Sequence, residues 1–263
     1  MRKEDYDLMH TLESDFWWFV GMREVTGALL HRYLAGEPRD ILDVGCGTGI
    51  NLLWALEKLG PERVVGCDFS TTALDLCRQT IWADHSSARK SIPRLCQGDI
   101  RRLPFAGGSF DMVTSFDVLD IFSSSEEWSA GMSELHRILR PDGLALVREP
   151  AYNWLLSSHD TLFGTHHRFT ITELRRQMAQ AGFEVVFATY ANTLLFPLAM
   201  TQRLLRKTIG LAKDKTDTQP WPKPLEWLNR PFKWLMHLEA IWLERGRMLP
   251  FGLSAICVGR KQA

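Results

Sequence analysis

The stretch DILDVGCGTG, from Asp40 to Gly49, decides the fold of this 263-residue chain. Its first half, Asp40–Val44, is a short apolar run that predicts a β-strand. Its second half is a glycine cluster, which predicts a tight turn that can approach a ligand closely because no Cβ stands in the way. A helix predicted from Ile50 to Leu59 would present unpaired N–H groups and a positive dipole end to that ligand.

Strands and helices alternate outward from this stretch to about residue 190, which predicts a mostly parallel sheet with helices on both faces. Further strands are predicted at Arg63–Asp68, Arg94–Gln97, Phe110–Phe116, Leu144–Arg148, Phe183–Tyr190 and Gly252–Gly259. Helix caps are predicted at Ser70, at Ser123 or Ser124 and at Thr170. The alternation then stops, and two helices are predicted before the last strand, at Leu194–Lys213 and about Leu225–Arg245.

Two ligand classes suit the glycine turn: a dinucleotide, or a nucleoside with an amino-acid tail. The dinucleotide pattern G-x-G-x-x-G fails, because the sixth position counted from Gly45 is Ile50. Asp68 ends the second strand, where a carboxylate can accept both ribose hydroxyl protons. Asp99 follows the third strand, where it can meet an adenine amino group. Both acids lie at carboxyl ends of strands, where open α/β sheets bind ligands.

With these elements the chain resembles the class I S-adenosylmethionine-dependent methyltransferases. The matching segments are 43–49, Asp68, Asp99, 103–111 and 135–143, in order over residues 40 to 150. The resemblance implies a Rossmann-like sheet of seven strands whose last strand is antiparallel, with S-adenosylmethionine as cofactor. We divide the chain into an N-terminal helical lid (1–39), a cofactor-binding core (40–193), a helical insertion (194–251) and the final strand (252–263).

The resemblance also implies a set of cofactor-binding residues. The glycine loop would admit the methionine part, Asp68 the ribose, and Asp99 with Ile100 the adenine, while Phe116 and Asp117 would line the side nearest the sulfonium. Asp43 would combine contact with the cofactor and orientation of the loop through backbone N–H groups. The full set is Arg23, Asp43, Gly45, Cys46, Gly47, Gly49, Asp68, Phe69, Asp99, Ile100, Phe116 and Asp117.

The aromatic run FWWF, residues 16–19, lies on a predicted helix and cannot face one side only. We interpret it as a lid over the cofactor, with Arg23 as partner for the cofactor carboxylate; packing of the helix against the sheet is an equal alternative. Residues 13–24 and 150–170 are similar to a bacterial subgroup associated with glycan and secondary-metabolite pathways. The chain departs from that subgroup at Thr165, where a His is expected, and at His167, where an Arg is expected.

Candidate catalytic residues follow the fifth strand: His159, His166, His167 and Arg168. Histidine titrates near neutrality and can act as a general base. The alternative is a loop whose histidines satisfy local hydrogen bonds. No standard zinc spacing is present, so we expect no metal.

Composition restricts the partners. The chain carries 31 basic and 31 acidic residues, and this neutrality disfavours a nucleic-acid substrate. The segment 149–152 superficially resembles the motif of amino-methylating nucleic-acid enzymes, but it follows the wrong strand. From Phe183 onward there are 12 basic and 6 acidic residues, so the C-terminal helices would suit peripheral membrane contact, with burial against the domain as the favoured alternative.

Five scattered cysteines indicate core thiols in a reducing compartment, and the N-terminus has no signal-peptide core, so we expect a cytoplasmic protein. The functional hypothesis is methyl transfer to a small-molecule, glycan or lipid-linked acceptor, preferably at oxygen. Two alternatives stay open: an enzyme of the same fold that uses the aminopropyl chain of the cofactor, and a non-catalytic binding or scaffold protein.

Overall fold

A computed structural model describes residues 3–83, 91–156, 160, 164–201 and 227–262. Seven strands form one sheet in the order β3-β2-β1-β4-β5-β7-β6. They are β1 Asp40–Val44, β2 Arg63–Asp68, β3 Arg94–Gln97, β4 Phe110–Phe116, β5 Leu139–Pro150, β6 Phe183–Ala191 and β7 Ser254–Lys261. All neighbours are parallel except β7, which is antiparallel to both β5 and β6. The predicted fold class is confirmed.

Helices cover both faces of this sheet. They are α1 Lys3–Leu12, α2 Trp17–Tyr33, α3 Ile50–Leu59, α4 Thr71–Ala83, α5 Ser125–Ile138, α6 Ile171–Gln180 and α7 Asn229–Glu244. Side chains alternate along β1, so that Leu42 packs into one core with α5 and α6, while Ile41 packs into a second core with α2, α3, α4 and α7. Helices α2 and α7 lie side by side although about 210 residues separate them.

The predicted caps are present. The Ser70 hydroxyl accepts a hydrogen bond from the N–H of Ala73, and the Ser124 hydroxyl accepts one from the N–H of Glu127. Thr170 and Glu173 form a reciprocal capping box at the start of α6. Local side-chain chemistry therefore fixes where these three helices begin.

Two predicted boundaries in the second half of the chain were wrong. β5 begins at Leu139 rather than Leu144, because Leu139 already pairs with Phe110 before a register shift. β7 runs from Ser254 rather than Gly252. The predicted helix Leu194–Lys213 falls partly outside the described residues, and helical backbone begins at Phe196.

The topology places a cleft at the carboxyl ends of the parallel strands. Chain order reverses between β1 and β4, and such a switch point is where doubly wound sheets bind ligands. Within the described residues, no helix combines the length and apolar character needed to cross a bilayer.

Candidate cofactor site

The loop after β1 is built from three glycines with left-handed backbone: φ is +73° at Gly45, +54° at Gly47 and +89° at Gly49. A Cβ added at Gly45 would collide with Val118, and one at Gly49 would collide with the Cys77 thiol. A Cβ added at Gly47 would meet no atom within 4 Å. Gly45 and Gly49 therefore allow close packing, whereas Gly47 borders open space at the carboxyl edge of the sheet.

The Asp68 carboxylate stands beside this loop at the end of β2. Its Oδ2 accepts a hydrogen bond of 2.9 Å from the N–H of Gly47, and its Oδ1 accepts one of 2.8 Å from the N–H of Ser70. Burial raises its pKa, and these backbone N–H groups oppose the rise. Phe69, the next residue, is exposed at the rim. Asp68 thus couples the glycine loop to the start of α4 and keeps further acceptor capacity.

Asp43 lies beneath the loop and is only 4% exposed. Its Oδ1 accepts a hydrogen bond of 2.6 Å from the Thr114 hydroxyl, whereas its buried Oδ2 has no partner. Burial raises the pKa of this carboxyl to about 7, opposed by Thr114 and by the charge of Arg148. The expectation that loop N–H groups donate hydrogen bonds to Asp43 was wrong, because Oδ1 instead accepts its hydrogen bond from the Thr114 hydroxyl on β4. An unpartnered buried oxygen is costly unless a ligand donates to it.

Arg148, a buried arginine of β5, lies close to Asp43. Arg148 forms an ion pair with Asp117, whose N–H in turn donates to the Arg148 carbonyl at 2.8 Å. Its guanidinium carbon lies 4.7 Å from the ring centre of Phe116 and 5.2 Å from that of Trp18. The predicted residues Phe116 and Asp117 are therefore held at the strand ends by a cation that the sequence analysis missed.

The N-terminal helices lie over the glycine loop. The Thr48 hydroxyl donates to the buried carboxylate of Glu13, and Arg23 donates to the Glu13 carbonyl at 2.7 Å. Burial raises the pKa of Glu13, and the Thr48 hydrogen bond opposes that rise. The Tyr6 hydroxyl is hydrogen-bonded to Ser70 beside Asp68. The N-terminal segment therefore contacts the glycine loop through Glu13, just after α1, and the start of α4 through Tyr6.

The aromatic side chains of residues 16–19 make two kinds of contact. Phe16 is buried, and the Trp17 ring packs edge-on against Phe232, with 5.4 Å between ring centres. Trp18 instead reaches Arg148 at the site. Core packing therefore accounts for Phe16 and Trp17, whereas a lid role for Trp18 stays a prediction.

Asp99 and Ile100, which follow β3, make contacts within the protein. Asp99 is held by Arg101, with 2.6 Å between Oδ2 and Nη2, and Arg101 also contacts Glu127 at 2.6 Å. Arg101 holds the pKa of Asp99 below its usual value. Ile100 is buried in the core. Contact of Asp99 and Ile100 with an adenine ring stays a prediction.

Of the three candidate histidines, the structure describes His166 and His167. His159 lies outside the described residues. The ring of His167 packs between Trp128 and Phe169, with centres 4.4 and 4.8 Å away, and burial lowers its pKa. His166 is exposed, and its N–H donates to the Asp120 carbonyl at 2.7 Å. His167 thus belongs to an aromatic cluster, and a catalytic role for either residue stays a prediction.

Arg168 does not reach an open surface. Its Nη2 lies 2.6 Å from Oδ1 of Asp160, and its Nη1 donates to the Ala151 carbonyl at 3.1 Å. Both charged side chains are almost fully buried. In the structure the Arg168 guanidinium holds the loop through these contacts, and an action of Arg168 on the acceptor stays a prediction.

Two buried acids join the loops that follow β4 and β5, and the sequence analysis missed both. Glu149 accepts hydrogen bonds from the N–H groups of Leu119 and Asp120, at 3.0 and 3.2 Å. Asp120 accepts one of 2.6 Å from the Thr165 hydroxyl through Oδ2, while its Oδ1 has no partner. Burial raises the pKa of Asp120 to about 7 and raises that of Glu149 well above its usual value. Asp120 is therefore able to exchange a proton near neutrality.

The described residues contain no group of three or more His, Cys, Asp or Glu side chains arranged to hold a metal. The site does fit a nucleoside with an amino-acid tail. Asp68 offers acceptor oxygens for a diol, the orphaned oxygen of Asp43 can receive an ammonium, and Gly47 leaves room for the chain between them.

Comparison with known proteins finds similarity to methyltransferases. Residues 42–147 match the model of a methyltransferase domain. A demethylmenaquinone methyltransferase of Deinococcus radiodurans is 36% identical over 117 residues, which cover 44% of this chain and 45% of the relative. A probable S-adenosylmethionine-dependent methyltransferase of Mycolicibacterium smegmatis is 29% identical over 66% of this chain and 62% of the relative. These matches and the sheet order indicate a class I S-adenosylmethionine-dependent methyltransferase domain over residues 42–147.

Solved methyltransferase structures share the fold. A putative methyltransferase in complex with the Trm112 activator of Haloferax volcanii superposes with a TM-score of 0.60 and 20% identity, over 99% of this chain and 97% of that one. The chain spans about half the length of the curated relatives it matches.

The relatives do not support the predicted exclusion of nucleic acid. One of them, the tRNA (carboxymethyluridine(34)-5-O)-methyltransferase alkbh8 of Xenopus tropicalis, is 33% identical over 52% of this chain and 19% of its own length. A neutral net charge is therefore too weak a criterion to exclude such a substrate in this family.

A pair of glycine variants tests whether the methyltransferase binds a ligand at the loop. Gly36 shares the left-handed backbone of Gly47, with φ of +80°, and a Cβ there also meets no atom. Each Gly→Ala change should cost about 1–2 kcal/mol of stability because L-residues disfavour this backbone region. Only Gly47→Ala should also weaken S-adenosylmethionine binding, by roughly tenfold, because its methyl group enters the cleft. Calorimetric affinities that are equal for both variants would contradict this placement.

Proposed function

We propose that this chain transfers the methyl group of S-adenosylmethionine to an oxygen of a small-molecule, glycan or lipid-linked acceptor. One observation carries the proposal: the orphaned Oδ2 of Asp43, the open space at Gly47 and the carboxylate of Asp68 lie together at the carboxyl ends of two adjacent strands. Along the cleft, these three features come in the same order as the ammonium, the carbon chain and the ribose of S-adenosylmethionine.

The residues that would hold the cofactor follow from this order. Asp68 would accept hydrogen bonds from the ribose hydroxyls, and Asp43 would accept one from the ammonium. Arg23, which is anchored on the Glu13 carbonyl above the loop, would pair with the carboxylate. Exposed Phe69, with Asp99 and Ile100, would border the adenine.

When bound, the cofactor supplies a methyl group that its positive sulfur already makes electrophilic. The chain must then hold the acceptor in line and exclude water. Trp18, Phe116 and Arg148 form an apolar and cationic wall at the strand ends. A hydroxyl acceptor must also lose a proton, for which Asp120 and the exposed His166 are the described candidates.

An aromatic surface at the same edge of the sheet supports an acceptor with an apolar part. The ring of Tyr152 lies 5.1 Å from that of Tyr190 and 5.9 Å from that of Phe196, and Phe196 lies 5.5 Å from Phe251. Trp154 and Phe251 extend this surface into solvent. A lipid-linked or otherwise apolar acceptor could lie against it.

The test is product analysis with methyl-labelled S-adenosylmethionine and a panel of glycan, phenolic and prenyl-linked acceptors. We expect labelled acceptor together with S-adenosylhomocysteine in equal amount. Methylthioadenosine would instead indicate use of the aminopropyl chain. Failure to bind either adenosyl compound in calorimetry would favour a scaffold protein and overturn the proposal.

A further inference from the structure

Helix α7 has one face that packs inside the protein and one that does not. The inner face packs against α2 and the sheet through Met236, Ala240 and Leu243. The opposite side carries an apolar outer stripe at helical spacing, formed by Trp234, Leu238, Ile241 and Trp242. The exposed fractions of Trp234, Leu238 and Trp242 are 59, 37 and 41%. Such a stripe is larger than scattered surface apolar residues would produce.

Positive charge borders the outer stripe at both ends. Arg230 lies four residues before Trp234, and Arg245 four residues after Ile241, and both are exposed. Arg247 covers the Trp242 ring, with 4.7 Å from its guanidinium carbon to the ring centre. The stripe is therefore apolar, rich in tryptophan and cationic at its ends.

The carboxylates of α7 are turned away from the stripe. Glu239 is buried and accepts hydrogen bonds of 2.7 Å from the N–H groups of Asn192 and Leu194. Glu244 lies 2.9 Å from Nδ1 of His31 on α2. Neither of the two acidic side chains of α7 therefore belongs to the face that carries the outer stripe.

We infer that the outer stripe of α7 docks on the surface of an anionic membrane. Tryptophan and arginine along one apolar face are the residues that interfacial helices use, because the rings enter the headgroup region while the cations meet lipid phosphates. A second copy of the chain fits less well. An antiparallel contact through the same stripe would set Arg230 of one copy against Arg245 of the other without a carboxylate between them.

Docking there would bring the cofactor edge of the sheet close to the bilayer. Glu239 fastens α7 to the segment after β6, and β6 ends at the same edge as β1 because both run parallel. The exposed side chains of Leu194 and Leu198 belong to that segment. The inference does not depend on the proposed methyl transfer.

Vesicle co-sedimentation of the full chain tests the inference. We expect binding to mixed phosphatidylglycerol and phosphatidylcholine vesicles, and weaker binding to phosphatidylcholine alone. The double variant Trp234→Ala/Trp242→Ala should lower the partition coefficient by roughly tenfold or more. Arg230→Gln and Arg245→Gln should each lower it roughly fivefold, on the anionic vesicles only.

Matched controls come from other helices. Trp82→Ala removes an exposed tryptophan of α4, and Arg176→Gln removes an exposed arginine of α6; neither should change the partition. Wild-type protein that stays in the supernatant would overturn the inference, as would equal partition of the wild type and the stripe variants. A dimer in light scattering that the Trp234→Ala/Trp242→Ala variant dissociates would assign the stripe to a second copy instead.

Discussion

The Arg168→Ala variant is expected to lose about 3–5 kcal/mol of unfolding free energy, because Asp160 would remain buried without its cation. The side chains of this pair are only 5% and 3% exposed, and the contact is 2.6 Å long. Urea denaturation followed by circular dichroism measures the loss. Arg176→Ala, which removes an exposed arginine of the neighbouring helix α6, should change stability by less than about 0.5 kcal/mol.

The same variant separates the two roles that Arg168 could have. If the residue also acts on the acceptor, Arg168→Ala would in addition lose turnover under conditions where circular dichroism shows the variant folded. The double variant Arg168→Leu/Asp160→Leu adds a second check, because removing both charges should recover much of the stability that one substitution removes. A double variant as unstable as the single one would contradict the ion-pair account.

Asp68→Ala is expected to weaken S-adenosylmethionine binding by about 1.5–3 kcal/mol, the range for hydrogen bonds to a charged group. The affinity would fall roughly 10- to 150-fold. Calorimetry should be run where circular dichroism shows the variant folded, because Asp68 also accepts hydrogen bonds from Gly47 and Ser70. Asp75→Ala is the matched control, since that acid lies on the surface of α4 and contacts Arg78. Equal affinity of a folded Asp68→Ala variant would refute the ribose assignment.

The first half of the sheet was predictable because its signals are local. The bounds of β1 to β4 and of α3 follow from apolar runs, glycines and prolines that act within a few residues. Three helix starts follow from capping residues that bond to their own helix. The glycine loop and Asp68 lie together because the carboxyl ends of adjacent parallel strands must meet.

The remaining contacts depend on pairings between distant residues, which no periodicity encodes. Glu13 reaches Thr48 across 35 positions, and Asn229 reaches the start of α2 across 212. A role of Arg148 at the site was predictable from the sequence, because a charged residue within an apolar strand requires a partner at the strand end. The packing of His167 against Trp128 was not predictable, because nothing in the local pattern of a polar loop indicates an aromatic partner about 40 residues away.

The most direct measurement is a crystal structure with S-adenosylhomocysteine, which carries the same ribose and ammonium groups. The account predicts the ribose hydroxyls within hydrogen-bond distance of Asp68, the ammonium near the free oxygen of Asp43, and the chain between them crossing Gly47. A ligand bound elsewhere, or a bound ligand that leaves the space at Gly47 empty, would contradict it.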